Sequence, residues 1–150
     1  MLLQVIISLG IIVLTIFIHG LGTAWGLNYV YKRDKFKNQV FGFNTSMRVL
    51  SFTAVFLMIL HYIDIVIWAA AYLVIPQVRQ LASWEEAIYF SMVTYTTLGY
   101  GDITLSPVWR IMSGFEAMNG ILLFGWSTAM FFSVAQRVMG QPNQPTLNNN

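Results

Sequence analysis

Thr96-Thr97-Leu98-Gly99-Tyr100-Gly101-Asp102 is the stretch on which the reading of this chain turns. Its two glycines stand at alternate positions. Glycine enters left-handed backbone without a steric penalty, so such a strip can alternate right- and left-handed dihedrals and aim successive carbonyls to one side. Gly-Tyr-Gly alone is more often a turn, and the residues before it reverse that reading. Ser83-Trp84-Glu85-Glu86 places a serine three residues ahead of a glutamate, the capping-box pattern that starts a helix. A helix over 84–96 is predicted, about 20 Å long at 1.5 Å per residue. That reaches only part-way across a hydrocarbon layer of about 30 Å, so the segment is expected to dip in as a re-entrant helix. The partial negative charge of its C-terminal end would face the strip that follows.

Composition leads to the membrane independently. Of 150 residues 57% are hydrophobic and only 9% charged, with a mean hydropathy of +0.63. So few charges cannot solvate an ordinary globular surface. Residues 2–18 are apolar and uncharged, and the helix is predicted to run on to about residue 31, with Trp25, Tyr29 and Tyr31 as an interfacial aromatic belt. A secretory signal peptide fits less well, because no lysine or arginine precedes the apolar run and no clear small-residue cleavage site follows it. A second span is predicted over 49–75, stopping at Pro76, and a third over 108–138. The loop 32–48 carries Lys32, Arg33, Lys35, Lys37 and Arg48 against Asp34 alone, which by the positive-inside rule places it in the cytoplasm. The amino terminus is then outside, and Arg137 and the tail 139–150 are inside. That tail, rich in Gln, Asn and Pro, is expected to be disordered. Without cysteine there is no disulfide, thiolate metal site or cysteine nucleophile.

Taken with the capped helix before it and the apolar span after it, the heptapeptide resembles the selectivity filter of the potassium channel family. The likeness covers about residues 62–136 as a two-span pore module of the small bacterial type: outer helix 49–75, pore helix 84–96, filter 97–102 and inner helix 108–138. An extra N-terminal span, 1–31, precedes it. The resemblance implies an all-α membrane protein with three transmembrane helices and a re-entrant pore loop, assembled as a tetrameric channel. A dehydrated potassium ion needs rings of oxygen, and backbone carbonyls can replace its water. The carbonyls of Thr97, Leu98, Gly99 and Tyr100 would form those rings, the Thr97 hydroxyl the innermost ligand, and the Tyr100 ring a brace pointing away from the ion. Gly101 completes the strip, Thr96 supports it from the pore-helix end, and Asp102 lies at the outer mouth. One pore loop per chain calls for four chains about one axis. The expected partners are copies of itself, the lipid bilayer and permeant potassium, with no cofactor and no nucleic acid. The expected place is the plasma or inner membrane, multi-pass.

The chain departs from the family pattern at several positions. Leu98 stands where valine or isoleucine is usual, and its γ-branched side chain is expected to pack against the pore helix. Tyr89 and Phe90 replace tryptophans of many relatives, and Val93 a glutamate that in some members bonds the filter aspartate. Tyr89 is therefore the expected hydroxyl partner of Asp102.

Polar residues inside apolar spans are costly and usually face protein or water. Here they are His61, Asp64 and Glu116. His61 and Asp64, three apart on one helix face, are expected to pair, and Glu116 to reach the second span. An interhelical clamp is the first reading. The sharper one has protonation of Glu116 or Asp64 loosen the clamp and gate the pore. Gly120 is a candidate hinge of the inner helix or a close-packing position, and Asn119 beside it a candidate to line the cavity or pack between helices. His19 reads as an interfacial polar residue, and the first span as a scaffold. No span carries arginine at every third position, as a voltage sensor would.

An enzyme reading competes formally: Gly99-Tyr100-Gly101-Asp102 fits the Gly-x-Gly-Asp signature of intramembrane aspartyl proteases, with Asp64 as the second carboxylate. Asp102, close before Ser106-Pro107 at a helix start, sits badly for that chemistry, so no enzymatic role is expected. A non-conducting membrane interaction subunit is the third alternative.

Overall fold

A computed structural model describes residues 2–32, 42–75, 78 and 81–139. Its four helices are α1 (Leu2–Lys32), α2 (Phe43–Val74), α3 (Trp84–Tyr95) and α4 (Arg110–Met139), and no strand occurs among the described residues. α1, α2 and α4 are long and apolar enough to cross a membrane, while α3 has 12 residues. The predicted all-α architecture of three spans and one short helix is therefore present. Arg33, Asp34, Lys35, Lys37, Pro76 and the tail from residue 140 lie outside the described residues.

α2 corrects the sequence reading at its start. The segment 43–48, assigned to the basic loop, is helical from Phe43, one residue after Gly42. Tertiary contact holds this extra turn: Ser46 and Leu50 are buried, and Ser46 Oγ donates to the Val138 carbonyl near the end of α4 at 3.3 Å. Val30 of α1 joins Leu50, Val134 and Val138 in the same cluster. The C-terminal ends of α1 and α4 and the N-terminal end of α2 thus meet at one end of the bundle. Accordingly α1 and α4 run in one direction and α2 in the other.

α3 occupies the opposite end. Trp68 and Tyr72 of α2, Ala87, Phe90 and Tyr95 of α3, and Met112 and Leu123 of α4 form the main core. Ser83 caps α3, accepting from the Glu86 N–H at 3.2 Å, and Glu86 Oε2 accepts in return from the N–H of Ala82 at 2.7 Å. This is the expected capping box with its reciprocal bond shifted back by one residue.

The buried side of α1 is polar. Gln4, Ser8, Thr15, His19 and Thr23 are all buried, while Leu3, Ile6, Val13, Phe17 and Leu21 are exposed. In lipid the apolar face has nothing to gain by turning inward, so hydrogen-bonding residues take the interior. Gly22 and Gly26 on the same helix let Leu60 and Phe56 of α2 approach closely.

Candidate functional site: the strip after α3 and its buried support

α3 ends at Thr96, whose hydroxyl and N–H both bond the Met92 carbonyl, at 2.7 and 3.2 Å. Thr97 N–H then bonds the Thr94 carbonyl at 2.9 Å, and Gly99 N–H the Val93 carbonyl at 3.2 Å. The strip is therefore tied back to the last turn of α3. Its backbone enters the left-handed region at Thr97 (φ 60), Gly99 (φ 56) and Gly101 (φ 78), but not at the intervening Leu98 and Tyr100. Left-handed conformation at every second residue turns successive carbonyls to the same side. Glycine was foreseen at two of these positions. Thr97 is the third, and a β-branched residue held there is strained by an amount on the order of 1–3 kcal/mol. Strain kept at one position of such a strip marks a geometry that the surroundings over-determine.

Residues 97–102 are all exposed in the subunit. Leu98 is 55% exposed and Tyr100 67%. Within this chain, cover for Leu98 and Tyr100 is therefore only partial. At the far end of the strip, Tyr89 Oη donates to Asp102 Oδ2 at 2.7 Å, the bond anticipated from the absence of the relatives' glutamate. This hydrogen bond is the main cause that holds the Asp102 carboxyl below its ordinary range, and it raises the Tyr89 phenol in turn.

Behind the strip lies a first buried clamp. Glu116 of α4 is fully buried and accepts from Tyr72 Oη of α2 at 2.7 Å and from Ser91 Oγ of α3. Ser91 Oγ also lies 3.0 Å from the Ile65 carbonyl. One carboxylate joins three helices, reaching α2 as expected and α3 besides.

A second cluster corrects two expectations. His61 and Asp64 share a face of α2 but do not pair with each other. Asp64 Oδ2 lies 2.7 Å from His19 Nδ1 and accepts from Tyr95 Oη at 3.4 Å, while His61 Nδ1 lies 3.1 Å from the same Tyr95 hydroxyl. The phenol of Tyr95 stands between them, because α3 inserts it there. His19 is not interfacial either. It is fully buried, with its Nε2 2.9 Å from Ser127 Oγ of α4.

Asn119 is 1% exposed and donates to Thr15 Oγ1 of α1 at 2.8 Å, so it packs between helices and does not line a cavity. Gly120 lies against the backbone of Tyr95, where a Cβ would collide with the carbonyl oxygen. Of its two readings, close packing is the one its surroundings display.

Tyr72, Ser91, Tyr95, Thr15 and Ser127 escaped the sequence reading as partners. Ser91 and Tyr95 are four apart on α3, a spacing that puts two hydroxyls on one face. That was the available signal.

The two carboxylates of the aspartyl protease reading have separate partners, Tyr89 for Asp102 and His19 with Tyr95 for Asp64. A shared proton would require them in contact.

The ion channel family model matches residues 45–137, which takes in nearly all of α2, α3, the strip and nearly all of α4. The chain belongs to the ion channel family. No curated protein and no solved structure matches it. As an ion channel subunit it is a multi-pass membrane protein whose matched segment begins after α1. α1 lies before the matched segment, and its His19 and Thr15 are buried against the matched helices.

Proposed function

We propose that four copies of this chain surround one axis and conduct potassium passively and selectively. The observation that carries the reading is the left-handed backbone at Thr97, Gly99 and Gly101, which lines up carbonyls able to replace the hydration shell of a desolvated cation. Conduction then needs only that stacked sites hold ions weakly enough for mutual repulsion to move them on. The exposure of residues 97–102 in a single subunit agrees with a strip that faces an axis and neighbouring copies. The basic residues at positions 32–48 favour a cytoplasmic α1–α2 connection, with the strip opening to the outside of the cell membrane. Glu116, Asp64, His61 and Gly120 stand behind the strip as the groups through which a gate would act. Potassium is the permeant ion, and no cofactor enters the mechanism.

Flux from purified protein in liposomes, driven in turn by potassium and sodium gradients, tests the proposal. Potassium flux that exceeds sodium flux and is blocked by barium is the expected result. Equal flux of both ions would overturn selectivity, and a monomer in membranes would overturn the shared axis.

A further inference from the structure

The cluster behind the pore helix contains four donors from three helices: His19 Nδ1, Asp64 Oδ2, Tyr95 Oη and His61 Nδ1. Their successive separations are 2.7, 3.4 and 3.1 Å. Two ligands of one tetrahedral zinc ion, bound at 2.0–2.2 Å, stand about 3.3–3.6 Å apart. The ligand atoms of His19, His61 and Asp64 all lie within 4.8 Å of one another, and all three residues are buried. We infer that His19, His61 and Asp64, with Tyr95 as fourth ligand, form a binding site for one divalent transition metal of the zinc class inside each subunit.

Three further observations point the same way. Asp64 is fully buried, yet its Oδ1 has no hydrogen-bond partner. A carboxylate in that state has ligand capacity to spare, and leaving it unused inside a membrane is costly. His19 Nε2 faces Ser127 Oγ at 2.9 Å. A ligating histidine commonly secures its other nitrogen in this way, and here that holds the ring with Nδ1 turned to Asp64. The donor set of two imidazoles and two oxygens suits zinc and its neighbours, whereas calcium and magnesium take oxygen shells.

Charge and protons balance. The ion replaces one proton held between His19 Nδ1 and Asp64 Oδ2, with the remaining His19 proton on Nε2 donated to Ser127 Oγ, and a second proton from the Tyr95 hydroxyl; both displaced protons leave to solvent. A 2+ ion with one carboxylate, one phenolate and two neutral imidazoles carries no net charge, as membrane depth favours. Among His19, His61 and Asp64, separations of up to 4.8 Å must close by at most about 1.5 Å to reach a tetrahedral edge. That movement would draw α1 towards α2 and the end of α3, immediately before Thr96 and Thr97.

Binding of the metal does not depend on which ion the channel conducts, so it is read without conduction. The assembled full-length protein is stripped with chelator and titrated with Co2+ as a spectroscopic stand-in, then with Zn2+, and bound metal is counted by mass spectrometry. One ion per chain is expected, with the visible d–d bands of four-coordinate cobalt and their disappearance on zinc addition. His19→Gln and Asp64→Asn should abolish binding, and Ser127→Ala should weaken it about tenfold. Wild-type protein that gives no cobalt band, or a His19→Gln/His61→Gln double variant that binds undiminished, overturns the site. Should the variants fail to assemble, the wild-type cobalt spectrum decides alone.

Discussion

The backbone carbonyl of Tyr95, the last residue of the pore helix, rests directly on Gly120 of the inner helix. Neither residue belongs to the strip, yet their contact sets where the strip begins, one residue further on. The absence of a side chain at position 120 is what allows the two backbones to meet.

Gly120→Ala must therefore displace backbone, at a cost on the order of 1–3 kcal/mol per subunit. Thermal unfolding of the purified protein should show a lowered midpoint. Gly10→Ala, where a Cβ meets nothing within 4 Å, is the comparison and should be neutral or stabilising. Equal midpoints for the two variants would remove Gly120 as a packing position.

The Tyr72–Glu116 hydrogen bond is buried, so Tyr72→Phe leaves a carboxylate oxygen short of a donor at a cost of about 1–3 kcal/mol. A double-mutant cycle with Glu116→Gln should return a coupling of about 0.5–3 kcal/mol. Additive losses would mean that the two groups do not act on each other.

For Asp102 the sign with pH follows from its lowered carboxyl pKa. A depressed folded-state value means that the stabilisation is complete above the ordinary carboxylate range and is lost as pH falls through the depressed value. At neutral pH the Tyr89 bond is therefore intact. Tyr89→Phe should move the Asp102 titration upward in carboxyl NMR and speed the decay of current, and the decay should become sensitive to milder external acid. A titration curve that does not move would show that the phenol is irrelevant to Asp102.

Gly99 is held at φ 56. Alanine there costs about 1–2 kcal/mol in each copy and favours rotation of its peptide out of the row. Gly99→Ala should assemble yet lose cation flux at least tenfold. Flux at the wild-type level would break the link between left-handed backbone and conduction.

How far these features can be read from sequence depends on range. The cap at Ser83, the short helix and the alternate glycines are encoded within some 20 residues and were legible as they stand. The spans were legible because hydropathy averages well over a helix length. The start of α2 was not, since its first turn depends on Ser46 meeting Val138, 92 residues away. The same averaging concealed His19: a window that reads residues 2–30 as apolar discards the series Gln4, Ser8, Thr15, His19, Thr23, whose spacing traces one face of a helix. For Leu98 the local pattern gave no sign that more than half of the side chain stays uncovered by its own chain.

The polar seam of α1 bears on how this protein can be dissected and how it must be made. A two-span version cut back to residues 43–139 would leave Asp64 facing hydrocarbon with its nearest partner gone, together with an unanswered Asn119 and Ser127. The pore unit of this chain is thus not portable. During synthesis the obligation runs the other way: His19 enters the bilayer first and waits for Asp64, and then for Ser127, before its ring is satisfied. Its side chain reaches both partners only when the last helix has arrived.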